Sequence, residues 1–433
     1  MRVSFPAPCR APAGAEAGGA AKADAVCINT IRTLVMDAVQ KANSGHPGAA
    51  MSMAPVAYTL WQDVMAYDPA DPLWPNRDRF VLSIGHASML LYALIHVTGI
   101  RDVRDGVVTD QPALSVEDLR QFRQFGSRTP GHPEYGHTTG VETTTGPLGA
   151  GCATSVGMAV AEKWLAARYN RPGYTLFDHT VYTLCGDGDM MEGVTSEAAS
   201  LAGHYQLGNL TWIYDSNRIS IEGSTDVAFT ENVAERFAAY GWQVLELKDA
   251  NDTATLRALL AQAKAETTRP TLIIAHSVIA WGSPNKAGKA SAHGEALGEA
   301  EVRATKQVLG WPEDSSFEVP DSVLPHIAAG LGARGKAANA AWKALLARYN
   351  TTYPTEGAEL AAIFAGTLPE GWDADIPTFP TSDKGDASRS SSGTVLNAVA
   401  GRLPWLLGGS ADLAPSTKTL LKGEESFQPA QWG

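Results

Sequence analysis

Gly186-Asp187-Gly188 follows the apolar run Val181–Cys185, and Asn217 comes thirty positions after Asp187, just past a second apolar run, Leu210–Tyr214. In one parallel sheet the ends of two such strands meet at the carboxyl edge, where open α/β folds bind ligands. Asp187 would offer a carboxylate, Asn217 an amide oxygen and Ile219 a backbone carbonyl. Mg²⁺ or Ca²⁺ accepts hard oxygen donors of this kind, completed by phosphate oxygens and water. The flanking glycines allow the backbone to come close to a diphosphate. A lone Gly-Asp-Gly is most often a tight turn. The paired strands and the downstream Asp215-Ser216-Asn217 make it a candidate site.

Four of the ten histidines lie in loops rich in Gly, Pro or Ser: His46 in SGHPG, His86 in SIGHAS, His132 in TPGHPE and His293 in SAHG. Imidazoles in such loops can hydrogen-bond sugar hydroxyls, orient a diphosphate or move protons near neutral pH; each taken singly also reads as a turn-stabilising residue. His96, His179, His204, His276 and His326 sit in element-like settings and read as structural, and His137 stays unassigned. The stretch Val141–Gly151 carries Gly146, Gly149 and Gly151 ahead of an alanine-rich helix. Such a loop can cradle an anion or a flat ring, or simply permit close helix packing.

The elements that must position these groups alternate. Strand-like Val181–Cys185, Leu210–Tyr214 and Thr271–Ala275 are separated by helical Glu197–Tyr205 and Thr255–Ala265, and a helical pattern also runs from Val26 towards Ala42. This alternation predicts an α/β domain, a parallel sheet with helices on both faces, over residues 25–310. Residues 311–384 read as a linker with helices at Lys336–Tyr349 and Glu356–Phe364. Residues 385–433 read as the start of a second, incomplete α/β domain, with a helix at Val395–Leu403 and a short strand at Trp405–Gly409. Residues 1–24, rich in Ala, Gly and Pro, fit a disordered tail or part of an organelle transit peptide.

Composition narrows the function. At 44% hydrophobic and 18% charged the 433 residues are ordinary globular material. A net charge of -12 argues against a nucleic-acid partner. The four cysteines contain no CxxC pair, which points away from a disulfide framework or zinc site and towards a reducing compartment. Apolar runs are too short to predict a membrane span.

SGHPG, GHASMLLY, RTPGHPE, ETTTGPLG, GDGDMMEG, DSNRISIEG, GSPNKAG and GGSADLAPS, in that order, resemble transketolase from about Asp24 onward. The resemblance implies a thiamine-diphosphate-binding domain followed by the beginning of a pyrimidine-binding domain. It also implies a homodimer whose active site lies at the subunit interface. The implied reaction is reversible transfer of a two-carbon ketol group from a ketose phosphate to an aldose phosphate, in the pentose phosphate pathway or Calvin cycle. By position, Asp187, Asn217 and Ile219 would ligate Mg²⁺ or Ca²⁺. His86, Gly188 and His293 would neighbour the diphosphate, and Gly146 and Leu148 the aminopyrimidine. His46 and His132 would contact the donor sugar, with His293 assisting proton transfer. Arg389 and Ser416, beside Asp412, would hold substrate phosphate. Glu192 and Glu197 would lie near the dimer axis and link the two sites, or else simply place charge in the first turn of a helix.

The pattern departs from the family at Ile84, where Asn is usual, at Ala150, where Gln is usual, and after Arg389, where Ser390–Gly393 is looser. The glutamate that activates the aminopyrimidine, and the aromatic residues around that ring, are expected beyond Gly433. The chain on its own is therefore expected to turn over little. A non-catalytic interaction module and a dihydroxyacetone synthase are the alternatives, and plastid and cytoplasm both fit as its location.

Overall fold

The computed structural model describes residues 19–432. Among the described residues seven strands form: β1 (Arg79–Leu82), β2 (Arg101–Arg104), β3 (Val107–Pro112), β4 (Val181–Gly186), β5 (Leu210–Ser216), β6 (Gln243–Leu247) and β7 (Thr271–His276). Five make one sheet in the order β1-β4-β5-β7-β6, all parallel. The other two, β2 and β3, pair antiparallel as a separate hairpin.

Every residue of β4 is buried, the pattern of a strand covered on both faces. Successive side chains of a strand point to opposite faces, and the two apolar clusters sort accordingly. Tyr182, Leu184, Ile213 and Ile273 belong to the larger cluster, whereas Val181, Cys185, Trp212, Tyr214, Leu272 and Ile274 belong to the other. Helices Gly19–Ala42 and Ser88–Thr98 supply the first cluster; Ala150–Tyr169 and Gly193–His204 supply the second. The expected α/β layering is thus present, with β1, β6 and the hairpin added to the strands read from the sequence.

Residues 1–18 of the expected tail lie outside the described residues, but from Gly19 the chain is already helical. Asp24 is tied down there, accepting from the Tyr58 hydroxyl at 2.7 Å and pairing with Arg257 at 2.8 Å. The described residues fall into two compact units, the first running to Lys343 and the second starting at Ala344. The reason is burial: Val323, Ile327 and Leu331 join the larger cluster of the first unit. The Arg334 guanidinium, likewise, caps the carbonyls of Trp61, Gln62 and Met65.

The second unit holds the helices Pro354–Ala365, Ser388–Ala400 and Ala414–Thr417 and, among its described residues, no strand. The strand expected at Trp405–Gly409 is therefore absent. Pro404 removes a donor just before it, Gly408-Gly409 favours a loop, and no strand lies in that unit for it to pair with.

Candidate active site

The loops after β1, β4, β5 and β7 carry His86, Asp187, Asn217 with Ile219, and His293 respectively. β4 and β5 pair so that Gly186 faces Asp215, which sets Asp187 beside the turn Asn217–Ile219. Asp187 is buried; its Oδ1 accepts from the Tyr214 hydroxyl at 2.5 Å and its Oδ2 from the Arg218 N–H at 2.8 Å. Burial nevertheless raises its pKa above the ordinary carboxylate value. A buried carboxylate so placed is stabilised by a cation. Arg218 takes a left-handed φ of 61° between Asn217 and Ile219, whose N–H donates to Asn217 Oδ1 at 2.9 Å. Among the described residues no group of three or more His, Cys, Asp or Glu could hold a metal. A cation here would rely on one carboxylate, an amide oxygen, a carbonyl and oxygens of its ligand, a set that fits Mg²⁺ or Ca²⁺.

One residue of this edge has no counterpart in the sequence reading. Asp189, fully buried, accepts from Ser83 Oγ at 2.8 Å, from the Gly149 N–H at 2.7 Å and from the Gly186 N–H at 2.9 Å. It fastens three loops to one another: the one after β1, the Gly-rich loop before helix Ala150–Tyr169, and the Gly-Asp-Gly turn. Gly149 meets this arrangement at φ 79°, where an added Cβ would lie 2.7 Å from Thr195 Oγ1, so the position requires glycine. The sequence signals only its bond to Gly186, since Asp189 stands three residues after Gly186, the capping position.

Three of the four loop histidines converge. Ring centroids of His46 and His86 lie 4.9 Å apart, those of His46 and His293 5.7 Å, and those of His86 and His293 5.3 Å. They reach this spot from the residue that precedes helix Pro47–Ser52, from the loop after β1 and from the loop after β7. Burial and the neighbouring His293 and Arg123 hold His46 down to about 4. Burial and His46 hold His86 down to about 3. His132 and His293 are lowered as well, chiefly by burial. All four are neutral near pH 7, each ring with one N–H and one lone pair. Nδ1 of His293 is buried with no hydrogen-bond partner, an orphan of the kind a bound ligand satisfies.

The His132 loop is held by helix Ser88–Thr98: Ser88 Oγ donates to the Gly131 carbonyl at 3.0 Å, and the Tyr92 hydroxyl reaches those of Pro130 and His132 at 2.9 and 3.1 Å. A Cβ on Gly146 would stand 3.7 Å from His132 Cδ2, and one on Gly188 would stand 2.9 Å from Leu148 Cδ1. The residues expected around a diphosphate and around a flat ring therefore adjoin.

A family model described as "Transketolase, thiamine diphosphate binding domain" matches residues 23–369. The chain belongs to the transketolase family. A transketolase of Geobacillus stearothermophilus is 51% identical over 404 residues, which cover 93% of this chain and 58% of the relative. The chloroplastic transketolase-1 of Arabidopsis thaliana is 50% identical over 404 residues, 93% of this chain and 53% of the relative. Among solved structures, a Pichia stipitis transketolase in complex with sedoheptulose 7-phosphate superposes with a TM-score of 0.88 at 44% identity, covering 94% of this chain and 58% of the other. The Leishmania mexicana transketolase gives 0.85 at 44% identity, over 94% and 57%. The chain thus spans 53–58% of the length of these transketolases.

Against the transketolase pattern, Ile84 is buried, and its Cγ2 lies 2.9 Å from where a Cβ on Gly186 would be. The departure at Ile84 thus packs an apolar side chain against the Gly-Asp-Gly turn. Ala150 opens its helix. Glu192 is the residue preceding helix Gly193–His204, while Glu197 lies beyond that helix's first turn, so first-turn charge does not account for it. Both are exposed. In the second unit, Arg389 Nη1 donates to Ser416 Oγ at 3.4 Å, both side chains being exposed. No helix among the described residues is long and apolar enough to cross a membrane.

Proposed function

We propose that this chain supplies the diphosphate-binding side of a transketolase site, moving a two-carbon ketol group from a ketose phosphate such as xylulose 5-phosphate to an aldose phosphate such as ribose 5-phosphate. The observation that carries the reading is the contact of His46, His86 and His293 on the sheet edge that also bears Asp187 and Asn217. Thiamine diphosphate, when bound, supplies a nucleophilic carbon and an electron sink for the transferred fragment.

The chain's own residues then bind and orient. Asp187, Asn217 and Ile219 hold Mg²⁺ or Ca²⁺; His86, Gly188 and His293 border the diphosphate; Gly146 and Leu148 border the aminopyrimidine. His46 and His132, neutral at pH 7, hydrogen-bond the donor's carbonyl and hydroxyl oxygens and hold them in a reactive pose. The unpartnered Nδ1 of His293 is the atom best placed to take or give a proton. Arg389 and Ser416 bind substrate phosphate, a guanidinium being suited to bidentate contact; the sugar phosphate bound to the Pichia stipitis relative supports that substrate class.

A homodimer forms over helix Gly193–His204, whose Val194 and Leu201 are 41% and 43% exposed alongside Met191 at 41%, with Glu192 and Glu197 among them. The second unit begins the pyrimidine-side domain. Chloroplastic and bacterial relatives support plastid or cytoplasm as the location.

Calorimetric titration of the purified chain with thiamine diphosphate tests the reading. Saturable binding that requires Mg²⁺ or Ca²⁺ and is lost in Asp187→Ala is expected; absence of binding with either metal overturns it. In the assembled enzyme, formaldehyde accepted in preference to an aldose phosphate would instead assign a dihydroxyacetone synthase.

A further inference from the structure

Arg123 adopts a left-handed φ of 61°, a conformation that non-glycine residues rarely take. The geometry thereby imposed lays its guanidinium over Gly131, where an added Cβ would stand 3.1 Å from Nε, at the edge of a cavity of about 490 Å³ lined by Ser44, Gln124, Pro130, Gly131 and His132. Nη1 donates to Ser44 Oγ at 2.9 Å, and Nη2 lies 3.4 Å from His46 Nδ1. Among the described residues no carboxylate pairs with it.

A guanidinium has donors and no acceptor. The His46 nitrogen that faces it must therefore be the bare one, and the proton of the neutral ring belongs on the far nitrogen. That nitrogen, Nε2, lies 3.2 Å from where a Cβ on Gly294 would be, next to His293, whose ring meets His46 edge-on. We infer that Arg123 is a positioning residue that fixes His46 as the Nε2–H tautomer, so that His46 presents an N–H to the oxygen of a bound ligand. The inference rests on the proposed role of His46 in holding the donor sugar and deepens it: His46 donates, and the ligand atom opposite it is an acceptor such as a carbonyl oxygen. The other titratable groups facing His46 are His86, His132 and His293, all held neutral at pH 7, so Arg123 is the fixed charge among them. That charge also opposes protonation of His46.

Two-bond proton–nitrogen NMR of the whole chain with ring-¹⁵N histidine tests this, His46 being assigned by the signal missing in His46→Gln. We expect His46 protonated at Nε2 and bare at Nδ1 from pH 8 to pH 6. In Arg123→Met and Arg123→Gln the two tautomers average, with the Met variant's titration midpoint rising as the opposing charge is removed; Arg123→Lys, which keeps charge and donor, restores the bias. A proton on Nδ1 in the parent chain overturns the proposal, as does an unchanged Nε2–H population in both the Met and Gln variants. No cofactor enters the measurement, so failure of thiamine diphosphate to bind would remove the functional reading while leaving the tautomer result in force.

Discussion

Asn217 is oriented by Asp215: its Nδ2 donates to Asp215 Oδ2 at 2.8 Å, while Ser277 Oγ donates to the opposite carboxylate oxygen at 2.5 Å. An amide held by its nitrogen must turn its oxygen the other way, and Asn217 Oδ1 accepts from the Ile219 N–H at 2.9 Å. Outer partners of this kind fix the direction of a ligand. Asp215→Ala would let the amide flip, and metal-dependent binding of thiamine diphosphate should weaken by about 10- to 100-fold. Asp215→Asn, which still offers an oxygen, should lose much less. Equal affinities for all three proteins in calorimetry would dissociate Asp215 from the metal site.

Asp189 gives a prediction about stability rather than binding. Its removal leaves the Gly149 and Gly186 N–H groups and the Ser83 hydroxyl without their acceptor. Each unsatisfied buried donor costs about 1–3 kcal/mol. Asp189→Ala should therefore lower the unfolding free energy by about 3 kcal/mol or more, read from the midpoint of urea unfolding. A midpoint within error of the parent's would mean that water replaces the carboxylate.

Asp189 also shows where sequence reasoning stops. The Gly-Asp-Gly turn, the second strand and the histidine loops were legible because glycine, proline and apolar runs act locally. The bonds from Asp189 to Ser83 and Gly149 span 106 and 40 positions, and nothing local in the chain announces them. The strands β1 and β6 were missed for a related reason: Arg79 and the half-buried residues of Gln243–Leu247 blur the apolar run expected of a parallel strand. At Trp405–Gly409 the error ran the other way, an apolar run taken for a strand although a strand is defined by its partner. The helix Ser388–Ala400 starts before Val395, and its serines carry no apolar periodicity that would reveal that first part.

The buried histidines predict a pH dependence of folding. His46 and His86 have pKa values of about 4 and about 3 in the folded chain, against an ordinary 6.5. The unfolded chain therefore takes up protons first as pH falls, and stability drops through the window from about 6.5 down to the folded values. Above pH 6.5 this contribution is fully present. The slope reaches at most about 1.4 kcal/mol per pH unit for each histidine charged only in the unfolded state. Urea unfolding at pH 7.5, 6 and 5 measures it. Replacing His86 with Gln should flatten the decline, and an equally steep decline in that variant would assign it to other groups.

Arg389 and Ser416 permit the sharpest separation of substrate from cofactor. Both are exposed, they contact each other at 3.4 Å, and within their own unit they pair a cation with a hydroxyl, as phosphate recognition requires. A charged hydrogen bond contributes about 1.5–3 kcal/mol, so Arg389→Ala should raise the KM for a phosphorylated ketose by about 10- to 100-fold. The dephosphorylated sugar never made the contact, and its KM should stay within twofold. Thiamine diphosphate affinity should also stay unchanged, because the residues proposed to hold that cofactor lie on the sheet edge of the first unit. The measurement is steady-state kinetics with matched phosphorylated and unphosphorylated donors in the assembled enzyme. Equal losses on both donors would place Arg389 in folding or assembly and leave phosphate recognition to other residues.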